Sequence, residues 1–365
     1  MLIIKVFKIV NDDLNPKILV VSDIHVGALK SELNLFQKFL NDIKNGEFSN
    51  DLQALVVLGD FFDLCTDISH TLLNNKQIKS ILEDLNKIRN EKKLVFVLGN
   101  HEIPVTGNYD KKFHDRKIKF LERFKIGIFD DLFDERIFCQ YVVLKKFDNT
   151  DSILLYDSIE HVFDGFINKI TINGLELDNN YECLMTHGYQ FDNELFRFLA
   201  GIIWSHLIKS DDVGVKDSFD YLWNIIIKGD QRVKDSEYNV MLDQLPELKD
   251  VEPKTIQGNF SEYNKYHFDF TKLYMRILEK WEESSKYEYY IDGIKDFLKD
   301  KDHNLKNINH LIYGHSHKCK SSEEYVGNTQ IKIFNDGAWQ HVTPSYAQIF
   351  SKGQIRIKEI PTIIV

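Results

Sequence analysis

Two histidines one residue apart close the stretch YGHSH at residues 313–317, directly after the apolar run INHLI. In an extended segment the side chains at i and i+2 point to the same side, so His315 and His317 can aim at one spot. Two imidazoles converging there suit a metal ion; a solvated turn that happens to hold two histidines is the plain alternative. Four other stretches carry comparable groups: SDIHVG offers Asp23 and His25, GDFFD offers Asp60 and Asp63, GNHE offers Asn100, His101 and Glu102, and THG offers His187. Taken singly each is weak, because Asp-x-His arises by chance and a Gly-Asp after a strand often serves only as a helix cap. Together they supply carboxylate, amide and imidazole donors, the set preferred by borderline to hard divalent ions such as Mn2+, Fe2+, Zn2+ or Mg2+. Asp23, His25, Asp60, Asn100, His187, His315 and His317 are too many ligands for one ion, and two ions sharing a bridging carboxylate fit the number.

The elements that must position these groups are legible as well. KILVVSD (17–23), LQALVVLGD (52–60) and KKLVFVLGN (92–100) are short, β-branched apolar runs, each ending at an acidic or amide residue. Between the last two, Leu73, Ile78, Ile81, Leu82, Leu85 and Ile88 recur at helical spacing within 72–89. Strands alternating with helices imply βαβ units and a mostly parallel sheet covered on both faces. In such sheets the polar residues at the carboxyl ends of the strands form the site. Further apolar runs at 136–144, 152–156, 181–186, 309–313, 331–335 and 346–350 predict more strands. The expected fold is α/β, with two packed mixed β-sheets flanked by helices.

Residues 190–306 read differently. LFRFLAGIIWSHLI (195–208) and FDYLWNIII (219–227) are apolar nearly all round, and helical patterns follow at 268–283 and 287–299. This predicts a helical insertion or lid at 190–306 within a catalytic domain made of 1–189 and 307–365, and a surface through which the chain could self-associate. The insertion could wall an acyl or nucleotide site, or be only the core of a helical subdomain. Arg197 on its first helix could contact a substrate phosphate or form a surface salt bridge.

Composition narrows the classes. With 43% hydrophobic and 28% charged residues over 365 positions, the chain is a folded, enzyme-sized protein. Its formal net charge of −10, from 46 Lys+Arg against 56 Asp+Glu, disfavours broad nucleic-acid binding. Cys65, Cys139, Cys183 and Cys319 form no CxxC pair, which argues against a zinc knuckle or redox motif and for reduced thiols. The leading MLIIKVFKIVNDD is too short and too interrupted by lysine for a signal peptide or membrane span, so a cytoplasmic protein is expected. The histidines outside the motifs, including His70, His114 and His161, lack ligand-like spacing and read as surface or structural residues.

The ordered series DxH, GDxxD, GNH(E/D), H and GHxH resembles the calcineurin-like metallophosphoesterase family over residues ~17 to ~350. That resemblance implies roles. Asp23, His25 and His317 would hold a first ion, Asn100, His187 and His315 a second, and Asp60 would bridge them. His101 would stand beside the substrate phosphate as general acid or charge stabiliser, oriented by Glu102 or Asp63, with Asn100 also touching substrate. The cofactors implied are two divalent ions, manganese first, with iron, zinc or magnesium as alternatives. Two ions about 4 Å apart lower the pKa of a water between them and neutralise phosphoryl oxygens during in-line attack.

Two further stretches resemble the UDP-2,3-diacylglucosamine pyrophosphohydrolase-like branch. These are HGYQFD (187–192), which runs into the insertion, and FNDGAWQHVTPSYAQI (334–349), with its Asn-x-Gly-x-Trp segment. The branch usually carries Arg where this chain has His101. The expectation is therefore a two-metal phosphoesterase acting on a small-molecule, nucleotide or lipid-linked phosphate or pyrophosphate ester. A nuclease and a metal-stabilised, non-catalytic scaffold are the alternatives.

Overall fold

The computed structural model describes residues 15–26, 31–62, 75–102, 137–157, 165–191, 287–299, 305, 307–339 and 343–360. Asp63, Arg197, His70, His114, His161 and the stretches 195–208, 219–227 and 268–283 lie outside the described residues. The chain separates into two compact units, one of Met1–Ile103, Asp110–Phe191 and Lys295–Val365, the other of Pro104–Tyr109 and Asp192–Ile294.

In chain order the described elements are β1 (Ile18–Val21), α1 (Leu33–Lys44), β2 (Ala54–Leu58), α2 (Lys76–Glu91), β3 (Lys93–Val97), β4 (Phe138–Cys139), β5 (Tyr141–Phe147), β6 (Thr150–Tyr156), β7 (Asn168–Thr171), β8 (Glu182–Thr186), α3 (Tyr287–Lys299), β9 (His310–Tyr313), β10 (Lys320–Val326), β11 (Thr329–Asn335), β12 (Ser345–Ile349) and β13 (Ile355–Glu359). One sheet runs β13-β12-β1-β2-β3-β4, and the other β10-β11-β9-β8-β5-β6-β7. β1 to β4 are parallel, with β12 and β13 added antiparallel. In the second sheet β9 is parallel to both β8 and β11, and the remaining pairs are antiparallel. Both sheets are therefore mixed, as the apolar runs predict.

The continuous apolar character of β1 and β2 follows from burial on both faces. Alternate residues Leu19, Val21, Leu55 and Val57 pack against Phe36, Phe39, Leu40 and Ile43 of α1 and Ile78, Ile81, Leu82, Leu85 and Ile88 of α2. The intervening Ile18, Val20, Val56 and Val95 meet Val142, Leu144, Ile153, Met185 and Ile312 of the second sheet. Each such buried aliphatic side chain contributes ~1.5–3 kcal/mol relative to exposure. α2 starts at Asn75, whose Oδ1 accepts from the N–H groups of Gln77 and Ile78. Beyond the second sheet, Phe297 of α3 packs its ring on Phe191 and Tyr141, with centroids 5.2 and 6.3 Å away.

One predicted element divides. The run 136–144 becomes β4 in the first sheet and β5 in the second, with buried Gln140 at the corner donating its N–H to Tyr156 O. Among the described residues, no helix is long and apolar enough to cross a membrane.

Candidate metal centre

β1, β2 and β3 are parallel neighbours, so the loops leaving them emerge at one edge; β8 and β9 do the same in the second sheet. Asp23 and His25 follow β1, Asp60 follows β2, and Asn100, His101 and Glu102 follow β3. His187 directly follows β8, and His315 and His317 follow β9. The structure brings all of these together. Asp23, His25 and His317 form one group of converging ligand atoms, Asp60, His187 and His315 a second, and His25, Asp60 and His101 a third that overlaps both.

The separations are those of atoms sharing an ion. His317 Nε2 lies 3.3 Å from Asp23 Oδ1 and 3.2 Å from His25 Nε2. His187 Nε2 lies 3.2 Å from Asp60 Oδ2, 3.2 Å from His315 Nδ1 and 2.9 Å from Asn100 Oδ1. With metal–nitrogen bonds of about 2.1 Å, ligands on one ion stand about 3.0–3.4 Å apart. Asp60 Oδ2 is also 3.9 Å from His25 Nε2 and 3.6 Å from His101 Nε2, which puts it between the groups.

Two observations test whether the residues fit cations. Asp23 Oδ1 is buried without a hydrogen-bond partner, although a bare carboxylate oxygen is costly in an interior. His187 Nδ1 lies 2.8 Å from the carbonyl of Leu58, which fixes the proton there. In the neutral ring Nε2 is then a lone pair, and it faces Asp60 Oδ2 and Asn100 Oδ1, so three acceptors converge on a point that needs a positive charge. In the metal-free protein a proton can fill that need. Burial alone would lower the pKa of His187, but the carboxylates of Asp60 and Asp23 raise it to about 9. Asp60 is pushed up by burial yet held well below the usual carboxylate range by His101 and His187. Burial, reinforced by His101, takes His25 down to about 3, which keeps it a neutral donor.

The backbone is shaped to the same end. Asp23, His25, Asp60, His315 and His317 have φ of 52°, 50°, 46°, 65° and 53°, and Asp148 and Asn149 in the β5–β6 turn complete the set of described non-glycine residues with positive φ. Each such left-handed residue costs on the order of 1 kcal/mol, so the surroundings must hold it. Part of that hold comes from close approach: a Cβ on Gly314 would stand 2.2 Å from Ser22 Oγ and 2.3 Å from Asp23 Oδ2. His315 N–H donates to Asp23 Oδ2 at 2.8 Å, tying the β9 loop to the β1 loop.

Glu102 does other work than adjacency to His101 implies. Its Oε2 accepts from the N–H groups of Asp60 and Gly99 at 3.0 and 2.9 Å, and its Oε1 from Phe62 N–H at 2.8 Å. The buried carboxylate clamps the β2 and β3 loops together; burial and Asp60 push its pKa up to about 7, against the pull of the Phe62 and Gly99 N–H groups. His101 donates its own N–H to Asp60 Oδ1 at 2.8 Å and sets its ring edge-on to His25, with centroids 4.6 Å apart. Its side chain is 20% exposed, against 2% for Asp60 and 0% for His187.

The model of the calcineurin-like phosphoesterase family matches residues 16–319. The chain belongs to that family. As a calcineurin-like phosphoesterase with this cluster it is a metal-dependent phosphoester hydrolase, and the cluster is its binuclear site for divalent ions. A search among curated proteins finds no match. Among solved structures the phosphoesterase is similar to a dimetal phosphatase from Danio rerio, at 9% identity and a TM-score of 0.39, covering 95% of this chain and 96% of that one. It is also similar to a phosphopantetheinyl hydrolase from Mycobacterium tuberculosis, at 14% identity and a TM-score of 0.33, covering 89% and 91%. A 5'-nucleotidase from Candida albicans is similar at 11% identity and a TM-score of 0.33, covering 95% of this chain and 51% of that one.

Sequence reasoning took the segment 335–339 of this phosphoesterase only as a mark of resemblance. Asn335 and Asp336 are buried beside the ligand loops, and burial pushes the Asp336 carboxyl well above the usual range.

Proposed function

We propose that the protein is a two-metal phosphoesterase in which Asp23, His25 and His317 hold one ion, Asn100, His187 and His315 hold the other, and Asp60 serves both. The observation that carries this reading is the placement of Asp60 Oδ2 between His187 at 3.2 Å and His25 at 3.9 Å. When bound, the two ions supply a water of lowered pKa and neutralise the phosphoryl oxygens. The chain does the rest. Against the pull of burial, the imidazoles of His101 and His187 keep Asp60 ionised, and the Leu58 carbonyl holds the proton of His187 on Nδ1. Asn100 lends its Nδ2–H to a phosphoryl oxygen. His101, the more exposed ring beside Asp60, gives a proton to the leaving oxygen. Of the two acids expected to orient it, Glu102 accepts from backbone N–H groups instead and Asp63 lies outside the described residues. Attack on phosphorus is direct, with no covalent enzyme intermediate.

The substrate we propose is a phosphate or pyrophosphate ester of a small molecule, nucleotide or lipid-linked group. HGYQFD and the Asn-x-Gly-x-Trp segment support the UDP-2,3-diacylglucosamine pyrophosphohydrolase-like branch. The proposed metal is manganese, with iron, zinc or magnesium as alternatives that the mixed carboxylate and imidazole donor set also suits. The division of the chain near Phe191 and Lys295 supports a catalytic domain of 1–189 and 307–365 with a separate unit in 190–306, for which the apolar runs at 195–208 and 219–227 support a lid or self-association role. A cytoplasmic setting is proposed on the reading of its four cysteines as reduced thiols. The test is hydrolysis of bis-p-nitrophenyl phosphate, monoesters and nucleotide pyrophosphates by Mn2+-reconstituted protein. Asp60→Ala and His101→Ala abolish turnover; unchanged turnover in metal-loaded Asp60→Ala sinks the mechanism.

A further inference from the structure

β11 ends at Asn335, which is paired in register with Tyr313, the last residue of β9. The chain then turns across the ligand loops of both sheets. Asn335 Nδ2 donates to Gly314 O at 3.1 Å and to Ser316 Oγ at 2.5 Å, while its Oδ1 accepts from Gly337 N–H at 2.9 Å. Every polar end of this buried amide is therefore committed to the loop that carries His315 and His317 or to its own turn. The next residue reaches the other way. Asp336 Oδ1 accepts from Ser22 Oγ at 2.7 Å, and the same hydroxyl lies 3.1 Å from Gly337 O, within hydrogen-bond reach. Trp339 N–H donates to Asp23 O at 3.0 Å, and the indole is anchored edge-on to Phe36 and Phe39, at 5.1 and 5.3 Å.

We infer that residues 335–339 form a staple whose side chains Asn335 and Asp336 are positioning residues for the metal ligands, Asn335 for His315 and His317, and Asp336, through Ser22, for Asp23 and His25. The need for it lies in the backbone. His315, His317, Asp23 and His25 all sit in the left-handed region, and a loop left to itself would relax out of it. The hydrogen bonds to Gly314 O and Ser316 Oγ flank His315 on both sides, so neither flank can rotate without breaking one. Gly337, at φ 84°, lets the turn close, since a Cβ there would stand 1.9 Å from Ser345 Oγ. The staple accounts physically for the Asn-x-Gly-x-Trp segment, in which the amide holds one loop, the glycine makes the turn, and the tryptophan fixes the assembly to the core.

This inference rests on the two-metal reading and adds a selective signature. On that reading His315 and His317 serve different ions, whereas Ser22 directly precedes Asp23, a ligand of the first. Calorimetric titration of metal-free protein with Mn2+ reads the difference, alongside the thermal midpoint of the metal-free form. Wild-type protein binds two equivalents. Ser22→Ala weakens one by about 10- to 100-fold and leaves the other, and Asn335→Ala weakens both to a similar degree. General destabilisation cannot weaken one ion alone, so the Ser22→Ala result separates positioning from mere structure. Should Asn335→Ala fail to fold, Ser22→Ala, which deletes a single oxygen, decides the matter. Folded variants that bind both equivalents within about 2-fold of wild type overturn the staple while leaving the two-metal reading intact. A wild-type protein that binds no Mn2+ removes both.

Discussion

Replacing Glu102 by Gln tests whether that side chain is a clamp or an acid that orients His101. The carboxylate accepts three backbone N–H groups, two at Oε2 and one at Oε1. An amide has one acceptor oxygen, so its NH2 must face at least one N–H. If the oxygen takes the Asp60 and Gly99 side, the Phe62 N–H is left pointing at a donor. A buried donor without a partner costs ~1–3 kcal/mol. The two remaining bonds lose their charge assistance, roughly half their strength. The sum is about 3 kcal/mol, read as a lower urea midpoint at unchanged slope. Because the clamped loops carry Asp60 and Asn100, Mn2+ affinity falls as well. An orienting acid predicts the opposite pattern, an altered pH–rate profile at parental stability. Glu102→Gln unfolding at the parental urea concentration would refute the clamp.

Three further outcomes follow from the same structure. Gly314→Ala forces a methyl to within 2.2 Å of Ser22 Oγ and 2.3 Å of Asp23 Oδ2, and metal analysis finds the first ion depleted while circular dichroism stays that of the parent. Phe36→Ala opens a cavity between α1 and the first sheet and costs ~3–5 kcal/mol in urea unfolding, with metal content at parental levels. Burial, together with Lys332, lowers the pKa of His310 to about 4. Its neutral form is favoured on folding, so this contribution is intact above pH 6.5 and lost as pH falls towards 4; an NMR titration of His310 with a midpoint near 6.5 would contradict it.

The converging cluster was legible because each of its members follows an apolar run that can only be a buried strand. Asp60 after ALVVL and His187 after ECLMT need no tertiary information to be placed at a strand end. The spacing of Phe36, Phe39, Leu40 and Ile43 marks α1 just as Ile78, Ile81, Leu85 and Ile88 mark α2. The strands without an apolar signature are β7, β10 and β13, all at sheet edges, where one side faces solvent and KSSEEYV is as good as an apolar run. The Gly327-Asn328 pair between β10 and β11 carries the hairpin signal instead. The division of 136–144 falls at Gln140, a polar residue between two equally apolar halves, and nothing local says that the halves join different sheets. Glu102 misleads by adjacency: its neighbour in sequence is His101, but its carboxylate reaches N–H groups brought by another loop. Asn335 and Asp336 depend on partners as distant as Ser22, 314 positions away, which no spacing rule can supply.

Exposure is uneven among the described residues of the cluster. His317 and His101 are 23% and 20% exposed, while Asp60 and His187 are closed off at 2% and 0%. On the proposed assignment the ion against Asp60, His187 and His315 is the more deeply buried of the two, so it would arrive first and depart last. An exchange experiment would then find one labile ion and one nearly inert, however similar their equilibrium affinities.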